Sequence, residues 1–82
     1  MLDGLKNRNK TVGIKQSIRA VENGSAEMIM IARDADPKIV AKILELCEKR
    51  KVEVIYVESM KVLGKACGID VGSAAVAVLK NL

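Results

Sequence analysis

Apolar positions change period several times along this chain of 82 residues, and the changes predict strands and helices in alternation. Residues 2–9 are polar and short, enough for one turn of helix, and Lys10–Val12 reads as a brief edge strand. Ile14, Ile18 and Val21 recur at helical spacing, and Asn23-Gly24 stops that helix. Met28–Ala32 is a continuous apolar run, the pattern of a strand covered on both faces. Asp36-Pro37 predicts a helix start, with Asp as N-cap and Pro at the first helical position. Ile39, Val40, Ile43, Leu44 and Cys47 form its expected inner stripe, and Lys49, Arg50 and Lys51 close it at the carbonyl end of the dipole. Val52–Val57 is β-branched and predicts a second buried strand. Ser59 can cap a short helix through Ala66, with Gly68 as left-handed terminator. A turn at Asp70–Gly72 leads into the last strand, Ala74–Leu79. Short connections between alternating elements predict one α/β domain over residues 1–82, with helices on both faces of a largely parallel or mixed sheet.

Composition narrows what such a domain can do. Half of the residues are apolar, yet Tyr56 is the only aromatic and there is no Phe or Trp. A core of Val, Ile, Leu, Met and Ala packs densely and leaves little room for a ligand cavity. The chain has no histidine, so a Ser or Cys nucleophile lacks its usual base. Glu45 and Glu48 read as a solvated helix face rather than a pair of catalytic acids. Gly64-Lys65 lacks the first glycine of a phosphate loop, with Ala66 where Ser or Thr is required. Gly68 to Gly72 lacks the dinucleotide pattern. No enzyme and no cofactor are therefore expected. Cys47 and Cys67 are too few for a closed zinc site, and inside apolar stretches they read as small core residues of a reducing compartment. Met1–Lys10 has no apolar run and no stretch approaches a membrane span, so a soluble cytoplasmic protein without a membrane partner is expected.

Charge then points to a partner. Residues 1–19 carry Lys6, Arg8, Lys10, Lys15 and Arg19 against Asp3 alone, while cations and anions balance over residues 20–82, so the whole net charge of +4 sits in the first quarter. A charge excess confined to one segment marks an edge that faces a polyanion. Bases cannot be stacked on aromatic side chains here, because the one tyrosine lies in a strand that reads as buried. Recognition must use Lys, Arg, Gln, backbone and aliphatic groups, which favours a structured RNA at a distorted helix over an unpaired strand or DNA. Lys15 and Arg19, four apart, share a helix face opposite the Ile14/Ile18/Val21 stripe, with Gln16 beside them. Gly13 permits close backbone approach, and a helix start offers free N–H groups to phosphate. Arg and Lys suit guanine O6 and N7, and Gln both donates to and accepts from a base edge. Spacing alone does not separate this from an ordinary solvated helix face.

Three stretches, in order and covering about Lys10 to Leu79, carry a resemblance. Gly13-Ile14-Lys15-Gln16-Ser17-Ile18-Arg19 resembles the first RNA-binding motif of the kink-turn-binding ribosomal protein family known as L7Ae. Ala32-Arg33-Asp34-Ala35-Asp36-Pro37 is similar to its strand-to-helix loop, and Leu63-Gly64-Lys65-Ala66-Cys67-Gly68-Ile69 with Asp70-Val71-Gly72 to its most recognisable signature. The pattern is nearest to the small bacterial members, the YbxF type. The resemblance implies a three-layer α/β/α sandwich with a mixed, about four-stranded sheet. It also implies binding to kink-turns, sharply bent RNA helices with tandem sheared G·A pairs whose bend opens the guanine edges.

Carried over by position, Lys15, Gln16 and Arg19 would contact guanine edges and nearby phosphates, and Gly13 and Ile14 the backbone. Ile69, Asp70, Val71 and Gly72 would cover the loop nucleotides, with Ile69 and Val71 as apolar contacts. Glu58, Ser59, Met60 and Lys61 would form the neighbouring wall. Asp70 reads either as a charge near phosphate or as a turn cap, and Arg33 either as an RNA contact or as a solvated loop residue. Gly64 reads as structural, Lys65 as peripheral and Leu63/Ala66 as core. Archaeal members typically carry Asn-Glu at Lys15-Gln16; Gln16 can still pair with guanine but without charge-assisted bonds. The implied protein is a monomer, ribosome-associated or not. The alternative is a protein-interaction or ribosome-assembly scaffold with the same fold. The RNA reading requires that the cationic amino-terminal turn and the connection near residue 70 meet in space.

Overall fold

A computed structural model describes residues 9–80. Lys6, Arg8 and the turn expected over residues 2–9 lie outside the described residues, apart from Asn9. The elements run β1 (Lys10–Val12), α1 (Ile14–Glu22), β2 (Ala26–Ala32), α2 (Pro37–Arg50), β3 (Glu53–Val57), α3 (Met60–Ala66) and β4 (Ala75–Leu79). They form a three-layer α/β/α sandwich around a mixed sheet of order β1-β4-β2-β3. β2 and β3 are parallel, joined by α2, while β4 runs antiparallel to both β1 and β2. The last strand thus occupies the middle, and Ala75, Val76, Ala77 and Val78 are all buried. Ile29 to Ala32 of β2 are buried without a break, as a strand with helices over both faces must be.

Local signals place the helix ends. The Asp36 carboxylate accepts a hydrogen bond from Lys38 N at 2.9 Å, and Pro37 follows at the first helical position. Ser59 Oγ accepts from Val62 N at 3.1 Å and opens α3. α1 stops at Asn23, and α2 ends on Lys51, a non-glycine residue held in the left-handed region at φ 57°. β2 begins two residues before the expected Met28, because a bulge inserts exposed Glu27 between the paired positions Ala26 and Met28 and breaks the apolar run.

Three expectations need correction. Ile39 is 51% exposed. At 100° per residue it falls about a quarter-turn from the line through Val40, Ile43 and Cys47, the positions of α2 that are buried. β3 is an edge strand rather than a buried one, and Tyr56 is 49% exposed. The inner face of α1 is centred on Ser17, Ala20 and Val21, turned about 70° from the expected stripe, with Ile14 and Ile18 only partly buried. Small side chains at Ser17 and Ala20 let α1 press close to its neighbours.

Ser17 is fully buried and its hydroxyl has no hydrogen-bond partner among the described residues. A buried unpartnered hydroxyl costs about 1–3 kcal/mol of desolvation. Ser17→Ala is therefore expected to leave urea-unfolding stability unchanged or to raise it by about 1 kcal/mol, since alanine also favours the helix. Cys47 and Cys67 are free and buried in the core. Burial pushes both thiols above their ordinary range, offset in Cys67 by the Lys10 charge, so both stay protonated at neutral pH. No helix among the described residues is long and apolar enough to cross a membrane.

Candidate RNA-binding interface

The strand order brings distant segments to one end of the sheet. β1 leaves the sheet at Val12, opposite Val76, and Gly13 N then donates to Ala75 O at 2.9 Å. β2 leaves at Ala32, whose N–H bonds Ala74 O at 3.0 Å, and Arg33 N donates to Val57 O at 2.8 Å where β3 leaves. Met60 N, at the start of α3, donates to the Asp34 carboxylate at 2.8 Å. Ser73 N donates to Met60 O at 3.1 Å, and Ser73 Oγ to Ala75 O at 2.8 Å. One continuous set of bonds therefore ties the start of α1, the Arg33–Asp34 loop, the start of α3 and the connection after Gly68. Gly13 at the start of α1 and Ser73–Ala75 after the connection thus lie at the same end of the sheet, where a parallel pair ends and the order reverses.

Gly13 makes the first corner. Its φ of 110° with ψ 160° is open only to glycine, and a Cβ there would lie 2.8 Å from Gln16 Oε1, so the carboxamide folds back across the entrance to α1. No side chain caps this helix start, which leaves its first N–H groups facing outward. Lys15 and Arg19 are exposed and point away from the Ser17 line, and Gln16 flanks them. Gln16 and Arg19 also line a shallow groove with Thr11, along the β1 edge. Arg19 stands more than one turn along α1 from the sheet end, so the site extends down this helix.

The connection 69–72 forms the second wall. Ile69 is half-buried, with its N–H on Gly64 O at 3.1 Å, while Val71 is 71% exposed. Met60 is also exposed beside it. Asp70 is exposed, and its carboxylate makes no hydrogen bond or ion pair with the described residues, so it caps no turn there. Glu58 and Lys61 are exposed, and Ser59 is committed to its cap. Lys61 lines a depression with Ile69, Asp70, Val71 and Gly72, and Lys65 shares it. Lys61 and Lys65 are four apart on α3 and so share a helix face. Arg33 is not simply solvated: its guanidinium packs on the Tyr56 ring, 5.4 Å from the centroid. Leu63 is fully buried, as expected, and Ala66 is half-buried.

Comparisons with known proteins find relatives in sequence and in fold. The sequence model of the ribosomal protein L7Ae/L30e/S12e/Gadd45 family matches residues 3–82. The chain is 48% identical over 69 residues to RNA-binding protein YbxF of Geobacillus stearothermophilus, covering 84% of each chain. It is 46% identical over 68 residues to an RNA-binding protein of Bacillus pumilus, covering 83% of each. In three dimensions it resembles the Giardia lamblia 15.5kD RNA binding protein, with a TM-score of 0.88 at 29% identity, over 98% of this chain and 71% of that one.

Proposed function

This chain belongs to the ribosomal protein L7Ae/L30e/S12e/Gadd45 family, as one of its small YbxF-type members, and on that premise we propose that it recognises and stabilises kink-turn RNA. The observation that supports the reading is that the start of α1, through Gly13 N on Ala75 O, and the chain that follows the Ile69–Gly72 connection, through Ser73 on Met60 and Ala75, are held at one end of the sheet. Lys15, Gln16 and Arg19 would meet the opened guanine edges, since Arg and Lys suit O6 and N7 and Gln can pair with either polarity. Uncapped N–H groups at Ile14 and beyond would take a phosphate. Ile69, Val71 and Met60 would lie against loop nucleotides, with Gly72 letting the backbone come close. Lys61, Lys65 and Arg33 would face phosphates around them. Glu58 and Asp70 would stand at the rim, where an acid limits how closely a regular, fully charged duplex can settle.

An exposed Val71 among cations suits a partner that offers both phosphates and base faces. Binding would act by population shift: the protein holds the kinked conformer and drains the extended one. We place this role in the cytoplasm, on or near the ribosome, with the protein acting as a monomer and without catalysis. Titration against a kink-turn and against the same RNA with its G·A pairs replaced tests the reading. Tight binding to the first and at least tenfold weaker binding to the second is expected, because each lost bidentate base contact costs about 1–3 kcal/mol. Equal affinity for both would sink it and favour bare charge attraction or the protein-scaffold alternative.

A further inference from the structure

Tyr56 is the only aromatic side chain in the protein, and the fold does not spend it on the core. It lies on β3, at the open edge of the sheet, one residue before the strand ends, and is half exposed. Ile31 pairs with Tyr56 in the parallel register, and Arg33, two residues beyond Ile31, lies on the same side. The Arg33 guanidinium sits over the ring, 5.4 Å from its centroid. The main chain fixes the base of the pair, since Arg33 N bonds Val57 O at 2.8 Å. The next residue, Asp34, ties the loop to Met60 N. The pair is therefore rigidly joined to the wall formed by the starts of α3 and the Ile69–Gly72 connection.

We propose that Arg33 and Tyr56 form a stacking ledge that takes an unpaired nucleobase of the bound RNA, extending the interface beyond the kink. Planar guanidinium groups and phenol rings are the two side-chain surfaces on which unpaired RNA bases stack. Here one rests on the other, at the open edge of the sheet. Stacking needs only a π-face, so the ledge accepts any base. The positive guanidinium also offsets the phosphate that accompanies the base. An edge tyrosine serving only to cover its own strand would need no exposed cation over its ring.

This inference rests on the RNA-binding reading, and its test separates the two. A kink-turn RNA is prepared with each unpaired nucleotide of the bend, and one unpaired nucleotide at each stem end, replaced in turn by an abasic residue. Each RNA is titrated with the parent protein, Tyr56→Leu and Tyr56→Phe. One abasic position is expected to weaken the parent about tenfold, the size of a lost base stack. The same position should hardly affect Tyr56→Leu, while Tyr56→Phe behaves as the parent. With 3-fluorotyrosine incorporated, the single ¹⁹F resonance should shift with the intact RNA and stay in place with that abasic one. Equal losses for parent and Tyr56→Leu at every position, with an unmoved resonance, overturn the ledge and leave the kink-turn reading standing. Failure of the parent protein to bind the intact RNA overturns both.

Discussion

Replacing Arg19 with alanine is expected to weaken binding to kink-turn RNA by about 1–3 kcal/mol, the range for loss of a base-edge contact and equivalent to roughly five- to 150-fold in Kd. The substitution is clean. The Arg19 side chain is exposed and makes no hydrogen bond or ion pair with the described residues, and alanine is the best helix former. Its removal costs the fold at most a favourable charge near the end of the α1 dipole, about 0.3–1 kcal/mol at low salt. Thermal melts of the two proteins should therefore differ by only a few degrees while Kd moves by an order of magnitude. A Lys49→Ala control tests place rather than charge. Lys49 lies in the last turn of α2, about 18 Å along the helix from the sheet end, and is engaged with Glu45 at 3.4 Å. Its loss should change Kd only slightly. If Arg19→Ala binds like the parent, or if Lys49→Ala weakens binding as much, α1 does not read bases.

Much of this architecture is legible before any coordinates, and the parts that are not share a cause. Asp36-Pro37, Ser59 and Asn23-Gly24 act through bonds within a few residues, so their meaning is carried by neighbouring positions alone. Burial of Ile39, Tyr56 and Ser17 is decided by what the rest of the chain lays over them. The apolar run in β3 says strand, but not that the strand is last in the sheet, where Tyr56 stays open to solvent. Ser17 reads as polar, yet α1 turns it inward because its small volume permits close packing. The site follows the same division. Lys15, Gln16 and Arg19 can be found from helical spacing, whereas Arg33 on Tyr56 depends on the parallel pairing of β2 with β3, and the approach of residue 13 to residue 75 on β4 entering between β1 and β2. Both are long-range events that no stretch of neighbouring residues announces.

Gly64→Ala is expected to be damaging although it is a glycine-to-alanine change inside a helix. In an exposed helix the substitution stabilises by about 1 kcal/mol, because alanine loses less backbone freedom than glycine. In α3 the sign reverses. A Cβ on Gly64 would stand 2.1 Å from Val71 O, and 3.1 Å from both Val71 C and Gly72 Cα. All three are backbone atoms, so no rotamer change relieves the overlap. Either α3 lifts from the connection or the connection moves outward by about 1 Å, at the cost of about 1–3 kcal/mol or more typical of overpacking. Movement also strains the bonds of Ile69 N to Gly64 O and Ser73 N to Met60 O, which hold that wall. We expect a net loss of about 2 kcal/mol in urea unfolding, or about 10 °C in Tm for a domain of this size. RNA affinity should fall further than that of a variant equally destabilised elsewhere, when measured at a temperature where both are folded. Gly72→Ala grades the effect. Its Cβ would meet Met60 at 3.1–3.3 Å, a contact that a few tenths of an ångström relieve, so it should cost less than Gly64→Ala on both measures. A Gly64→Ala protein more stable than its parent would mean that α3 and the 69–72 connection do not pack backbone to backbone, and the second wall of the site would lose its support.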